Sequence, residues 1–181
     1  MEIEKTKFKD AFVINPKVFG DHRGFFVETY REEWFKDMGL EIHFVQDNHS
    51  KSAEVDVLRG LHYQAPPHAQ SKLVRVTKGL VYDVIVDIRK ESDTYGQWQG
   101  FELTEKNFKI LFVPKGFAHG FCTLEPNTEF MYKVDNLYNA ESEGGIIWND
   151  PTLNIDWKVK EPILSDKDTE LVEFKNLKSP F

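Results

Sequence analysis

Cysteine, helix signals and long apolar runs are what this chain has least of. A single cysteine, Cys122, excludes an internal disulfide framework and fits a reducing compartment. No apolar run approaches the ~20 residues that a membrane span needs. The start, Met1-Glu2-Ile3-Glu4-Lys5, lacks a basic region followed by an apolar one, so no signal peptide is expected and the cytoplasm is the expected location. Basic charge is in deficit: 23 Lys and Arg stand against 30 Asp and Glu, a net charge of −7. Such a field argues against nucleic acid or an anionic membrane as partner, while leaving room for a local cationic pocket. The phosphate-binding motifs G-x-G-x-x-G and G-x-x-x-x-G-K-[ST] are missing, as is the nucleophile elbow G-x-S-x-G.

What is present is strand. With 181 residues, 14% of them aromatic, the chain suits one folded unit with a real core. Residues 80–88 (LVYDVIVDI) are β-branched and aromatic after Gly79. Residues 109–113 (KILFV) run into the turn signal Pro114-Lys115-Gly116. Residues 129–134 (EFMYKV) alternate, which puts Phe130, Tyr132 and Val134 on one face. Segments 11–14, 24–28, 42–46, 55–63 and 72–77 are further strand candidates, and Asn48-His49-Ser50, a glycosylation sequon, reads as loop. A helix is expected over 30–38, with Thr29 and Glu32 as a capping box and Gly39 as its end. A short helix is expected after Ser165. Many short strands with few helices predict a mainly β jelly-roll barrel, able to hold one small ligand.

Cys122 lies three residues after His119, a spacing that puts the two on opposite faces of a strand, so the thiol reads as core filling. Six histidines invite a metal reading. Small cupin barrels use an H-x-H pair, a later Glu and a distant His. Here His62-Tyr63-Gln64 has Gln where the second His would stand, so the sequence resembles a cupin with an incomplete metal motif. The segment 46–72 is densest in amides, cations and imidazoles, among them Arg59 and His62 within an apolar strand. Tyr132, read from its face alone, is a core tyrosine bonded to a backbone carbonyl.

Seven segments, in order, resemble the dTDP-4-dehydrorhamnose 3,5-epimerase family. They are Phe19-Gly20-Asp21-His22-Arg23-Gly24-Phe25-Phe26-Val27-Glu28, Gln46-Asp47-Asn48-His49-Ser50, Leu58-Arg59-Gly60-Leu61-His62-Tyr63-Gln64, Ala69-Gln70-Ser71-Lys72-Leu73-Val74, Pro114-Lys115-Gly116-Phe117-Ala118-His119-Gly120-Phe121, Trp148-Asn149-Asp150-Pro151 and Leu164-Ser165-Asp166-Lys167-Asp168. They reach from about residue 10 to 170. The resemblance implies a cupin-type jelly roll over about 10–150 with a C-terminal segment, 151–181, carrying Asp168, all in one domain. It implies a homodimer with no metal or organic cofactor. The implied reaction inverts C3 and C5 of dTDP-4-dehydro-6-deoxy-D-glucose, giving dTDP-4-dehydro-L-rhamnose.

The same resemblance implies His62 as base, Asp168 as its partner and Tyr132 as the opposing acid. Lys72 is the candidate donor to the enolate oxygen. For binding the substrate it implies Arg23, Glu28, Gln46, Asp47, Asn48 and Arg59, together with His119, Glu143 and Lys167; Tyr138 would stack on thymine. Both reacting carbons flank the C4 ketone, so one base and one acid on opposite sides of the ring suffice without redox chemistry. Other readings of these residues are a single 3- or 5-epimerase, a ketoisomerase, a non-catalytic sugar-binding cupin and a metal-dependent cupin enzyme.

Overall fold

Thirteen short strands, described over residues 1–181 in a computed structural model, build the framework of the chain. In order they are β1 (Glu2–Lys5), β2 (Phe12–Asn15), β3 (Val18–Asp21), β4 (Gly24–Val27), β5 (Gln46–Ser52), β6 (Leu58–Gln64) and β7 (Lys72–Lys78). There follow β8 (Leu80–Asp87), β9 (Trp98–Thr104), β10 (Ile110–Val113), β11 (Phe117–Thr123), β12 (Thr128–Val134) and β13 (Glu143–Gly145). Two helices, α1 (Glu32–Asp37) and α2 (Asp166–Thr169), lie between strands and in the C-terminal segment. A six-stranded sheet, β1-β2-β10-β7-β12-β5, faces a five-stranded sheet, β13-β6-β11-β8-β9. Every pairing within them is antiparallel, as a jelly roll requires. β3 and β4 form a separate hairpin arm.

Period-two alternation sorts the side chains between layers. Val13, Val74, Leu111, Val113 and Phe130 of the six-stranded sheet meet Val81, Ile85, Leu103 and Phe121 of the other in the central core. The alternate residues turn outward: Phe12, Ile14, Leu73, Ile110 and Phe112 bury themselves against Phe35 of α1. On the far side, Val84, Val86, Ala118 and Cys122 are covered by Leu153 and Trp157 of the C-terminal segment. β8 is therefore covered on both faces, which is why its sequence is a near-continuous apolar run broken only by Asp83 and Asp87. Cys122 is fully buried there, its thiol pushed up to about 12 by burial, and takes the core role expected of it. No helix is long and apolar enough to cross a membrane.

Three expectations need correction. The strand placed at 42–46 begins only at Gln46, because Ile42 and Phe44 pack against the α1 cluster instead of pairing. The sequon then lies in β5, paired residue by residue with β12, and is not a loop. α1 is shorter than 30–38: its cap is Arg31, with no side-chain bond, and Glu32 reaches Lys36 and His43 instead of a Thr29 box. Its end at Gly39, φ +76°, and the Ser165 cap of α2 are as expected.

Close backbone approach sets the position of β6 against β11. Gly60 has φ +120°, and a Cβ there would sit 2.6 Å from the Gly120 Cα. Gly60→Ala is expected to cost about 2–3 kcal/mol through this clash and the strained φ. A calorimetric melt should show it as a fall of roughly 5–10 °C in Tm. An unchanged Tm would mean that the two strands can part freely at this point.

Candidate active site

β6, β11 and β8 lie side by side, and their inward residues form a polar row across an otherwise apolar wall. His62 of β6 stands opposite His119 of β11. His119 in turn places Nε2 3.0 Å from both carboxylate oxygens of Asp83 on β8. Facing this row, the six-stranded sheet contributes Lys72 at the start of β7 and Tyr132 on β12. Arg59, His62, Lys72, His119 and Tyr132, with Ser50, Ser165, Lys167, Asp168 and the rings of Phe121 and Phe130, enclose a cavity of about 250 Å³. His62 and Tyr132 thus come from opposite walls.

His62 is held from behind. Its Nε2 lies 2.5 Å from Oδ1 of Asp168, which is 3% exposed. Ser165 donates its hydroxyl to Oδ2 of the same carboxylate at 2.8 Å. Burial alone would raise the Asp168 pKa, but the bonds from His62, Ser165 and the Gly60 amide hold it below the usual carboxylate range. An ionised carboxylate only accepts, so Nε2 carries the proton and Nδ1 the lone pair of the neutral ring. The α2 turn exists to deliver this acid: Ser165 caps it, and Asp168 is its one buried residue.

Burial shifts the other groups. It pulls the Lys72 ammonium down to about 8, while Asp83 and Glu143 act in the opposite sense. It pushes the Tyr132 phenol up, against the pull of Arg59. It lowers the His119 pKa despite Asp83. Tyr132 stays on the face of Phe130 as the alternation predicted, but no protein group bonds its hydroxyl, so it is not tied to a backbone carbonyl.

The other expected residues divide. Gln46 and Asn48 share the inward face of β5 and bond each other at 2.9 Å. Asp47 points to the other face, in a pair with Lys133 at 2.7 Å. At the rim, Glu143 accepts from Tyr138 Oη at 2.8 Å and from Lys167 at 2.5 Å. Arg23 lies on the arm, bound to Asp21, and Glu28 pairs with Arg31; neither lines this cavity. Gln64, at the broken metal position, spends its amide on the backbone of His68, Leu137 and Asn139. Asp83 was missed by motif reading. Its signal was present, an acid inside the apolar run of β8, since a buried carboxylate demands a partner.

Known proteins match this architecture closely. The family model for dTDP-4-dehydrorhamnose 3,5-epimerase matches residues 5–176. A dTDP-4-dehydrorhamnose 3,5-epimerase of Shigella flexneri is 52% identical over 169 residues, 93% of each chain. The crystal structure of the Bacillus anthracis enzyme of that name, with TDP and PPi bound, superposes with a TM-score of 0.93 at 52% identity, covering 95% of this chain and 98% of that one. A dTDP-6-deoxy-D-glucose-3,5-epimerase of Legionella pneumophila, solved with dTDP-4-keto-L-rhamnose, gives 0.93 at 43% identity, covering 98% and 94%. Since the match runs through both sheets and on through the segment that carries Asp168, the chain belongs to the dTDP-4-dehydrorhamnose 3,5-epimerase family.

Proposed function

We propose that this enzyme inverts C3 and C5 of dTDP-4-dehydro-6-deoxy-D-glucose, giving dTDP-4-dehydro-L-rhamnose. The observation that carries the reading is the confrontation, across one cavity, of a carboxylate-bound histidine with an unbonded tyrosine hydroxyl. His62 takes the proton from C3 or C5 at Nδ1, while Asp168 stabilises the imidazolium that forms. The electron pair moves into the C4 carbonyl, and Lys72 meets the resulting enolate oxygen. Such a contact is worth about 3–4 kcal/mol in the transition state. Tyr132 returns a proton from the opposite face, and the centre is inverted.

The diphosphate is left to cations. Arg59 and Lys167 line the cavity, so the net acidity of the chain lies outside it. Tyr138, exposed at the rim, is free to stack on thymine. Arg23 and Glu28 fit the binding role only if a second copy brings its arm to this cavity. A homodimer is supported by that arm, whose Phe19, Phe25 and Phe26 are 52%, 64% and 68% exposed and lack a cover. The likeness to the Legionella enzyme, solved with a 4-keto-L-rhamnose nucleotide, supports the choice of sugar.

Incubation with dTDP-4-dehydro-6-deoxy-D-glucose in D₂O tests the reaction. NMR should find deuterium at both C3 and C5. Label at one carbon only would reduce the enzyme to a single epimerase, and no label would defeat the reading.

A further inference from the structure

The buried pair of Asp83 and His119, whose imidazole lines the same cavity as Lys72, has no part in the proton transfers above. Asp83 is 0% exposed and sits between Val81 and Ile85 on the core face of β8. Both its oxygens point at one nitrogen, His119 Nε2. A carboxylate placed there is costly: an apolar side chain would pack the same position without loss of solvation. Such a conflict with core packing points to a functional site.

We propose that Asp83 is a positioning residue for the epimerisation: it locks His119 in one neutral tautomer and supplies the fixed negative charge that keeps Lys72 an ammonium. The inference rests on the role given to Lys72 above. Because the carboxylate accepts, Nε2 of His119 carries the hydrogen. Burial, Lys72 and His62 all act against a second proton on that ring, although Asp83 favours it. The pair then keeps one net negative charge. Were His119 cationic, the pair would be neutral and Lys72 would have no counter-charge behind it.

The remaining charges do not replace Asp83. Lys72 has no carboxylate within ion-pair distance. Glu143 attracts it, but is already held by Lys167 at 2.5 Å. Asp168 is committed to His62 at 2.5 Å. Arg59 from β6 and Lys167 from α2 also face the cavity, and as cations they work against an ammonium, while His62 from β6 faces it as a neutral ring. Tyr132, from β12, is the remaining titratable group there.

Asp83→Asn tests this, since the amide oxygen can still accept from His119 while the charge is gone. Lysine side chains labelled with ¹³C at Cε would be titrated by NMR in the substrate-free enzyme, with Lys72→Arg identifying the Lys72 signal. The Lys72 midpoint is expected to fall by about one pH unit in Asp83→Asn, the size of effect a nearby charge has. At pH 8 the ammonium fraction, and kcat with it, should then drop about fivefold, and the basic limb of the pH–rate profile should move down by the same interval. A folded Asp83→Asn whose Lys72 midpoint stays put would show Asp83 to be structural only. Should that variant not fold, ¹⁵N imidazole spectra of the wild type decide. A neutral Nε2–H ring for His119 at pH 7 supports the inference, and a charged or Nδ1–H ring overturns it. These spectra are taken without substrate, so they stand apart from the D₂O result. Failure of the reaction would appear in exchange, and failure of the coupling in the titration.

Discussion

His62→Ala is expected to lose exchange at both C3 and C5, with kcat/KM down roughly 10²–10⁴-fold, the usual worth of a positioned base. Both carbons should fail together because, in the proposed mechanism, one imidazole serves both. The two reacting hydrogens flank the same ketone, and the wall opposite Tyr132 offers no second unprotonated base of this kind. Arg59 is a permanent cation, Asp168 lies behind His62, and His119 is turned to Asp83. The substitution leaves Asp168 buried but not orphaned, since Ser165 and the Gly60 amide still donate to it. The fold should therefore survive, and a melt of the variant checks this. Asp168→Asn should reach nearly the same loss by another route. Its amide can donate to Nε2, which leaves the hydrogen on Nδ1, where the base must be free. Deuterium entering either carbon in folded His62→Ala would mean that another residue takes the proton.

The parts of this site that could be read from the chain are those with a strong local pattern. EFMYKV alternates cleanly, so the shared face of Phe130, Tyr132 and Val134 on β12 is legible from the chain alone. LVYDVIVD announced a strand by its β-branching, but not that both faces would be covered. β9 and β11 were harder, because glycine within them reads as a turn. Gly100 lies in mid-strand because the Tyr82 ring occupies the place of a Cβ, 2.0 Å from its hydroxyl oxygen. Gly120 is there because Arg59 carbonyl oxygen would stand 2.8 Å from one. Both reasons are contacts with distant strands and leave no mark nearby in sequence. Asp47 shows the same limit on a smaller scale. The motif Gln46-Asp47-Asn48 placed three residues in the site, whereas the pleat of β5 turns the middle one to the opposite face. Asp83 escaped because no motif marks it, and its partner His119 is 36 residues away.

Tyr132→Phe should separate the two halves of the reaction that His62→Ala removes together. The base is intact, so deprotonation continues and some deuterium exchange is expected to persist. Inversion should fall roughly 10²–10⁴-fold, because the proton on the far face has lost its donor. Stability should hardly change. The ring keeps its place beside Phe130 at 6.0 Å, and the hydroxyl makes no protein hydrogen bond to lose. The pH behaviour gives a second readout. A phenol ordinarily titrates near ~10, and burial raises this one further, so Tyr132 keeps its proton well into the alkaline range. Burial pulls the Lys72 ammonium down to about 8. As pH rises, enolate stabilisation therefore fails before the acid does. The basic limb of the wild-type rate should report Lys72, and the residual exchange of Tyr132→Phe should show the same limb. Product stereochemistry and deuterium content, followed by NMR from pH 6 to pH 10, measure both. Unimpaired turnover in the variant would remove Tyr132 from the acid's role. A residual exchange that continued undiminished above pH 9 would remove Lys72 from the enolate's.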